Sequence, residues 1–252
     1  MLTKEQVPVN QGQGAHGGLT RAEVLEVLSA GEVELKGRVP WSSNATFLVS
    51  LHNGDDPMLA IYKPGRGERP LWDFPRGLWK REVAAYELSE ALGWDLVPPT
   101  VARSDGPLGP GSFQYCIDAL FDEHYFTLLE VPEHHEALRR IAAFDLVVNN
   151  ADRKAGHCLL DREGGIWAID NGLSFHVDPK LRTVIWDFAG DRIADDLLDS
   201  LGPLSRGDVP ATVGELLDEQ EIGALVARAK RARGVGKYPK PTREVPYPWP
   251  LI

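Results

Sequence analysis

The pattern of apolar residues changes once along the chain, near residues 118–119. Before that point the apolar runs are short and are separated by turns that contain Gly and Pro, which is typical of an antiparallel sheet. After it, the segment 136–148 is apolar nearly all round, as expected for a helix buried in a core. The sequence therefore predicts an α+β fold with a mostly β first lobe and a mostly α second lobe.

This division gives four segments along the 252 residues. The two lobes occupy 19–118 and 119–236, and together they are long enough to bury a substantial core. Residues 1–18 are polar and rich in Gly and Gln, so we expect a flexible N-terminus. Residues 237–252 are rich in Pro, so we expect an extended tail.

The first lobe begins with a predicted helix. Thr20 and Glu23 have the spacing of a capping box, and Gly31 ends the helical pattern. Small residues at 40–45 separate the first two strands, so this turn is a candidate phosphate-covering loop. The other elements predicted for this lobe are strands at 33–35, 46–51, 58–62, 97–102 and 112–117 and a helix at 79–92.

A long loop follows Lys63, because the Pro and Gly residues after it exclude a helix or a central strand. The loop and the start of the next helix carry cationic and aromatic side chains: Arg66, Arg69, Arg76, Lys80, Arg81, Trp72, Phe74 and Trp79. Two interpretations stay open. The loop is either a lid that binds a substrate phosphate or a solvated loop with aromatic side chains tucked under it.

The second lobe contains a predicted hairpin with strands at 158–160 and 166–169. Helices are expected near 191–201 and 215–232. Acidic residues stand at the ends of these elements, with Asp152 before the hairpin and Asp170 directly after its second strand.

Phosphoryl transfer needs a carboxylate near the nucleophile, a second carboxylate on Mg²⁺, and a lysine on the phosphates that is held by a partner acid. The chain offers one candidate for each of these four roles, in the order just given: Asp152, Asp170, Lys63 and Glu82. Glu82 is expected in the first turn of the helix at 79–92. The alternative for Lys63 and Glu82 is an ordinary surface ion pair, worth ~0–1 kcal/mol.

The net charge and the composition limit the classes of partner and the cellular compartment that we expect. With a formal net charge of −10, the chain repels nucleic acid and anionic lipid, so we expect neither as a general partner. Peripheral membrane contact stays open for the basic cluster at 230–240, although cations are favourable at a helix C-terminus through the dipole alone. The two cysteines, in apolar stretches, indicate buried free thiols in a reducing cytoplasm. No uncharged apolar run approaches the ~18 residues of a transmembrane segment.

The order and spacing of these motifs resemble the kinase superfamily. Lys63 ends a strand, Glu82 lies on the following helix, Asp152 precedes His157 by five residues, and Asp170 begins an Asp-Asn-Gly sequence. Within the phosphatidylinositol 3/4-kinase-like group, four segments look similar to type II phosphatidylinositol 4-kinases: SSNATF (42–47), GSFQ (111–114), NADR (150–153) and AIDNGL (168–173).

The resemblance covers residues 32–175 and implies a two-lobed protein kinase-like fold that uses ATP with Mg²⁺ or Mn²⁺. Lys63 would contact the α- and β-phosphates, and Glu82 would orient it. Asp152 would position or deprotonate the acceptor, and Asp170 would bind the metal. The resemblance also implies that Ser42, Ser43 and Asn44 cover the phosphates. It further implies that backbone groups near Ile117 and Ala119 bind the adenine.

One position departs from the pattern, because most kinases have Asn five residues after the catalytic Asp and this chain has His157. Imidazole binds Mn²⁺ or Zn²⁺ more readily than Mg²⁺, which prefers oxygen. His157 is therefore either a metal ligand or a hydrogen-bonded structural residue.

Three functions stay open. The first is a kinase that transfers the γ-phosphoryl group to a hydroxyl of a lipid, protein or small molecule. The second is a nucleotide-binding pseudokinase that acts as an interaction module. The third is a kinase-fold enzyme that transfers AMP.

Overall fold

A computed structural model describes residues 18–40, 42, 44–54, 57–241 and 246–252. The N-terminus that the sequence predicts to be flexible therefore lies, except for Gly18, outside the described residues. Ser43, in the candidate phosphate-covering loop, also lies outside them.

The first lobe is an antiparallel sheet of five strands in the order β1-β2-β3-β5-β4. One helix precedes the sheet and a second follows β3, and the second helix contacts β4 and β5. The bounds are α1 (Arg21–Ala30), β1 (Glu32–Arg38), β2 (Phe47–His52), β3 (Met58–Pro64), α2 (Leu78–Ala91), β4 (Thr100–Arg103) and β5 (Gly111–Tyr115). The elements expected for this lobe are confirmed, with strand ends displaced by a few residues.

Helix α1 shows why these predictions succeed. The Thr20 hydroxyl accepts a hydrogen bond from the Glu23 N–H at 3.3 Å, and the Thr20 N–H donates to the Glu23 carboxylate at 2.7 Å. This reciprocal capping box satisfies two N–H groups that the first turn leaves unpaired. Gly31 ends the helix, as predicted.

The second lobe is built around a buried helix and a two-stranded hairpin. Its elements are α3 (Tyr125–Leu128), α4 (His135–Val148), β6 (Cys158–Leu160), β7 (Ile166–Ala168), α5 (Asp195–Ser200), α6 (Gly202–Ser205), α7 (Ala211–Gly214) and α8 (Glu219–Val235). The buried helix and the hairpin are confirmed. The sequence does not predict α3, α6 and α7, because four residues are too short to show a helical period.

Helix α2 belongs to the core of the second lobe as much as to the sheet. Its buried Ala84, Ala85 and Leu88 join the same apolar cluster as the buried side chains of α4. The buried Arg81 on the same helix contacts Glu221 of α8 through its guanidinium. The helix that carries Glu82 is therefore anchored to the second lobe, and Arg81 is not one of the cations of the loop after Lys63.

The C-terminal tail lies against the second lobe next to the loop that contains Asp152. The Ala155 N–H donates to the Leu251 carbonyl at 2.8 Å, and the Thr183 N–H donates to the Pro246 carbonyl at 3.1 Å. Neither 237–241 nor 246–252 contains a helix or an extended strand of the sheets.

Two expectations from composition also bear on the fold. Cys116 and Cys158 are both buried, as predicted. Within the described part of the chain, no helix has both the length and the apolar character needed to cross a bilayer.

Candidate active site

Three charged side chains from different parts of the chain meet between the lobes. The ammonium group of Lys63, on β3, contacts the Glu82 carboxylate and lies 2.8 Å from Oδ1 of Asp170. Glu82 is only 3% exposed, so the pair that it makes with Lys63 is not an ordinary surface ion pair. The sheet, α2 and the segment after β7 are thus joined at one point.

The three charges determine one another's protonation. Burial disfavours the ammonium form of Lys63, but the carboxylates of Asp170 and Glu82 outweigh it and raise the pKa of Lys63 above its ordinary value. Burial would raise the pKa of Asp170, yet the Lys63 ammonium holds it well below the ordinary value. Asp170 is half-exposed, so solvent screens part of this effect. Lys63 and Asp170 are both charged at neutral pH.

The Asp-Asn-Gly sequence is shaped to fit Glu82. The Asn171 N–H donates to the second Glu82 oxygen at 2.9 Å. A Cβ on Gly172 would lie 3.1 Å from the first Glu82 oxygen, a close approach that favours glycine. Asp170 itself has φ +57°, a left-handed conformation that costs free energy and is often kept at functional sites.

Arg153 connects the elements that carry Asp152 and Asp170. It is fully buried and pairs with the equally buried Asp145 of α4, with a shortest distance of 2.9 Å. Its other N–H groups donate to the Ile169 carbonyl and to the Asn171 side-chain oxygen, both at 2.6 Å. The guanidinium therefore fixes the geometry of this region. Sequence reasoning missed this role, although a lone acid in an apolar helix requires a partner.

Asp152 lies in the same cleft with a perturbed carboxyl group. Its N–H donates to the Asn150 side-chain oxygen at 2.9 Å, and its carboxylate lies 3.1 Å from the Lys154 ammonium. Burial raises the pKa of Asp152 to about 6, although Lys154 opposes the shift. A carboxylate with a pKa near the operating pH is suited to general-base catalysis.

His157 contacts Asp170, with 3.3 Å between its Nε2 and Oδ2. Its Nδ1 accepts a hydrogen bond from the Lys154 N–H at 3.4 Å, so Nε2 carries the proton and faces the Asp170 carboxylate. Burial lowers the pKa of His157 to about 4, and the ring is neutral at pH 7. The role of His157 as a metal ligand stays a prediction.

The residues present fit a divalent metal that is completed by a nucleotide. No three His, Cys, Asp or Glu side chains form a metal cluster among the described residues. Mg²⁺ at nucleotide sites is held by one or two carboxylates together with phosphate oxygens and water. Asp170, which lines the cleft, provides that kind of partial donor set.

The structure brings most of the predicted site residues together. The residues that line the cleft include Ser42, Asn44, Lys63, Glu82, Asp152 and Asp170. The loop with Ser42 and Asn44 is held over it, because the Asn44 side-chain oxygen accepts from the Arg69 N–H at 2.9 Å. Ile117 and Ala119 are not among the described lining residues. They are buried in the first-lobe core, and the Ala119 N–H donates to the Ile117 carbonyl at 3.0 Å, so their adenine contact stays a prediction.

The fold is kinase-like. The solved structure of hydra Fam20 with sugar matches with a TM-score of 0.56 at 14% identity, over 91% of this chain and 91% of that chain. The crystal structure of the Helicobacter pylori proinflammatory kinase CtkA matches with a TM-score of 0.48 at 14% identity, over 84% of this chain and 94% of that chain. The assignment of a kinase-like fold rests on the match to the Fam20 structure. The predicted α+β, two-lobed protein kinase-like fold is confirmed.

The comparison of sequences gives the family. No protein-family model matches the chain. The chain is 40% identical over 263 aligned positions to Protein Rv2133c of Mycobacterium tuberculosis (strain ATCC 25618 / H37Rv), over 90% of this chain and 94% of that protein. It belongs to the family of that protein.

Proposed function

We propose that the protein is an ATP-dependent phosphotransferase of the phosphatidylinositol 3/4-kinase-like branch, which transfers the γ-phosphoryl group to a hydroxyl. The observation that carries the proposal is the convergence of Lys63, buried Glu82, Asp170 and Asp152 on one cleft. A kinase-like fold supports it. Two cysteines in 252 residues, both buried, are too few for a disulfide framework and support a reducing compartment, such as the cytoplasm.

Each side chain has a role that its surroundings favour. Lys63 would bind the α- and β-phosphates, and Glu82 would keep its ammonium in place. Asp170, with or without His157, would hold Mg²⁺ or Mn²⁺, which neutralises charge on phosphate oxygens when it is bound. Asp152 would accept the proton of the acceptor hydroxyl, because its raised pKa makes it a better base than an ordinary aspartate.

A second function, nucleotide-binding pseudokinase, is motivated by the close contact of His157 with Asp170, at 3.3 Å between Nε2 and Oδ2. His157 stands where most kinases have the metal-binding Asn. A pseudokinase would show a nucleotide-dependent rise in melting temperature without phosphoryl transfer. AMP transfer, the third function, would be recognised by the mass added to the product.

The test is ATP turnover by purified protein with Mg²⁺ or Mn²⁺. We expect Asp170→Ala to lower turnover by at least about a hundredfold, since groups that stabilise transition-state charge contribute on that scale. The matched control is Asp122→Ala, at an exposed position of the second lobe. If the unsubstituted protein neither hydrolyses ATP nor labels any component of a cell lysate, the phosphotransferase proposal is wrong.

A further inference from the structure

The loop after β3 crosses from the first lobe to the second. We call residues 65–77 the bridging loop. Its Asp73 carboxylate lies 3.2 Å from the ammonium of Lys180, and the Phe74 ring packs edge-on against His176 at 5.0 Å between centroids. Lys180 also lies over the rings of Trp72 and Phe74, at 5.8 and 5.7 Å. The bridging loop therefore rests on the segment 176–182.

The segment 176–182 is in turn fixed beside Asp152. The Asn149 side chain donates to the Asp178 carbonyl at 2.7 Å and accepts from the Lys180 N–H at 2.8 Å. The Arg182 N–H donates to the Asn150 carbonyl at 2.9 Å, and the Arg153 N–H donates to the Arg182 carbonyl at 3.1 Å. The bridging loop therefore rests on a segment that is fixed to the backbone on either side of Asp152.

Residues of the bridging loop, together with Leu78, line a cavity of about 250 Å³. Arg69, Arg76, Leu71 and Phe74 are among its lining residues. Glu68 and Leu78 line both this cavity and the candidate nucleotide cleft, so the two spaces adjoin. A molecule in the cavity would therefore lie beside the nucleotide.

The cavity is cationic in a chain that is acidic as a whole. The guanidinium groups of Arg69 and Arg76 make no ion pair with any described residue, and both side chains are exposed. The Glu68 carboxylate, which also lines the cavity, accepts hydrogen bonds from the N–H groups of Gly77 and Trp79, both at 2.8 Å, so two cationic side chains and one anionic side chain line the cavity. Arginine forks suit phosphate and carboxylate groups. Because the net charge of −10 repels a large polyanion, we expect the ligand of this cavity to be a small anion.

We propose that this cavity binds the acceptor, and that the acceptor is a small hydroxyl compound carrying a phosphate or carboxylate group held by Arg69 and Arg76. This inference rests on the proposed function. In the transfer, the acceptor oxygen forms a bond to the γ-phosphorus of ATP while the bond from that phosphorus to the β,γ-bridging oxygen breaks. ADP leaves, and the hydroxyl proton passes to Asp152. Leu71 and Phe74 would contact the carbon skeleton.

The test uses inorganic phosphate as the probe, with nucleotide-free full-length protein and NMR detection of backbone amides. We expect the amide signals of Arg69, Leu71 and Arg76, which line the cavity, to shift on titration. The double variant Arg69→Gln with Arg76→Gln should bind phosphate at least tenfold more weakly. A parallel titration with acetate tells whether phosphate or carboxylate is the preferred group.

The matched control is the double variant Arg192→Gln with Arg231→Gln, which removes the same charge from exposed positions elsewhere. It should bind phosphate as the unsubstituted protein does. Unchanged binding in the Arg69 and Arg76 variant, or an equal loss in the control, overturns the inference. Because no ATP is present, this result is independent of ATP turnover, and a failure of the proposed function is distinguished from a failure of the acceptor site.

Discussion

The nucleotide side of the cleft and the cavity lined by the bridging loop differ in how their charged side chains are buried and paired. On the nucleotide side, Lys63 and Glu82 are paired, and Arg153 is fully buried against Asp145. On the bridging-loop side, the Arg69 guanidinium is exposed and unpaired among the described residues, and Trp72 is 95% exposed. Buried charges persist only when partners offset their desolvation, so they fix a geometry, whereas exposed charges leave a surface free to bind.

This contrast indicates that the two sides of the cleft have different roles. On our proposal, the rigid side holds ATP and metal, which are the same in every reaction cycle. The exposed side selects the acceptor. The buried contact between Arg81 and Glu221 extends the rigid side, because it ties α2 and therefore Glu82 to α8.

The largest expected effect comes from breaking the buried pair. Arg153→Met leaves the Asp145 carboxylate buried without its partner, so the free energy of unfolding should fall by about 3–5 kcal/mol. The same substitution on the other side, Arg69→Met, should change it by less than about 0.5 kcal/mol, since that side chain is exposed. Urea denaturation of both variants checks the comparison. Equal losses in the two variants would contradict it.

A smaller effect, the dependence of activity on pH, should distinguish the two carboxylates of the candidate site, Asp152 and Asp170. Burial raises the pKa of Asp152 to about 6, whereas Lys63 holds the pKa of Asp170 below its ordinary value. A general base works when deprotonated, so activity should be full above about pH 7 and should be lost as the pH falls through 6. At pH 5 we expect about a tenfold reduction in kcat/KM, as one protonation with that pKa requires. An inflection near pH 4 instead would show that the buried environment does not act on Asp152.

Local signals explain what the sequence predicted correctly. The capping box at Thr20 and the turn of the second-lobe hairpin are specified within a few residues, so α1 and the pair β6 and β7 could be found. Glu82 was placed in the first turn of its helix, but α2 begins at Leu78, one residue earlier than predicted, and Glu82 lies in the second turn.

Long-range contacts explain what was missed. Asn149 ends α4 in a left-handed conformation and holds the segment 176–182, a pairing that no spacing rule reveals. Arg153 reaches Asp145 and Asn171 only because three elements meet in the core. The two interpretations of the loop after Lys63 could not be separated from sequence, because they depend on which of its side chains find partners.

The most direct test of the account is metal-dependent binding of a non-hydrolysable ATP analogue, measured by calorimetry with Mn²⁺. If Lys63 and Asp170 act on one triphosphate, the unsubstituted protein and Asp122→Ala should bind alike, and Lys63→Ala and Asp170→Ala should each bind at least tenfold more weakly, a loss of about 1.4 kcal/mol or more. Absent binding by the unsubstituted protein, or equal affinity across all four proteins, would contradict the central claim.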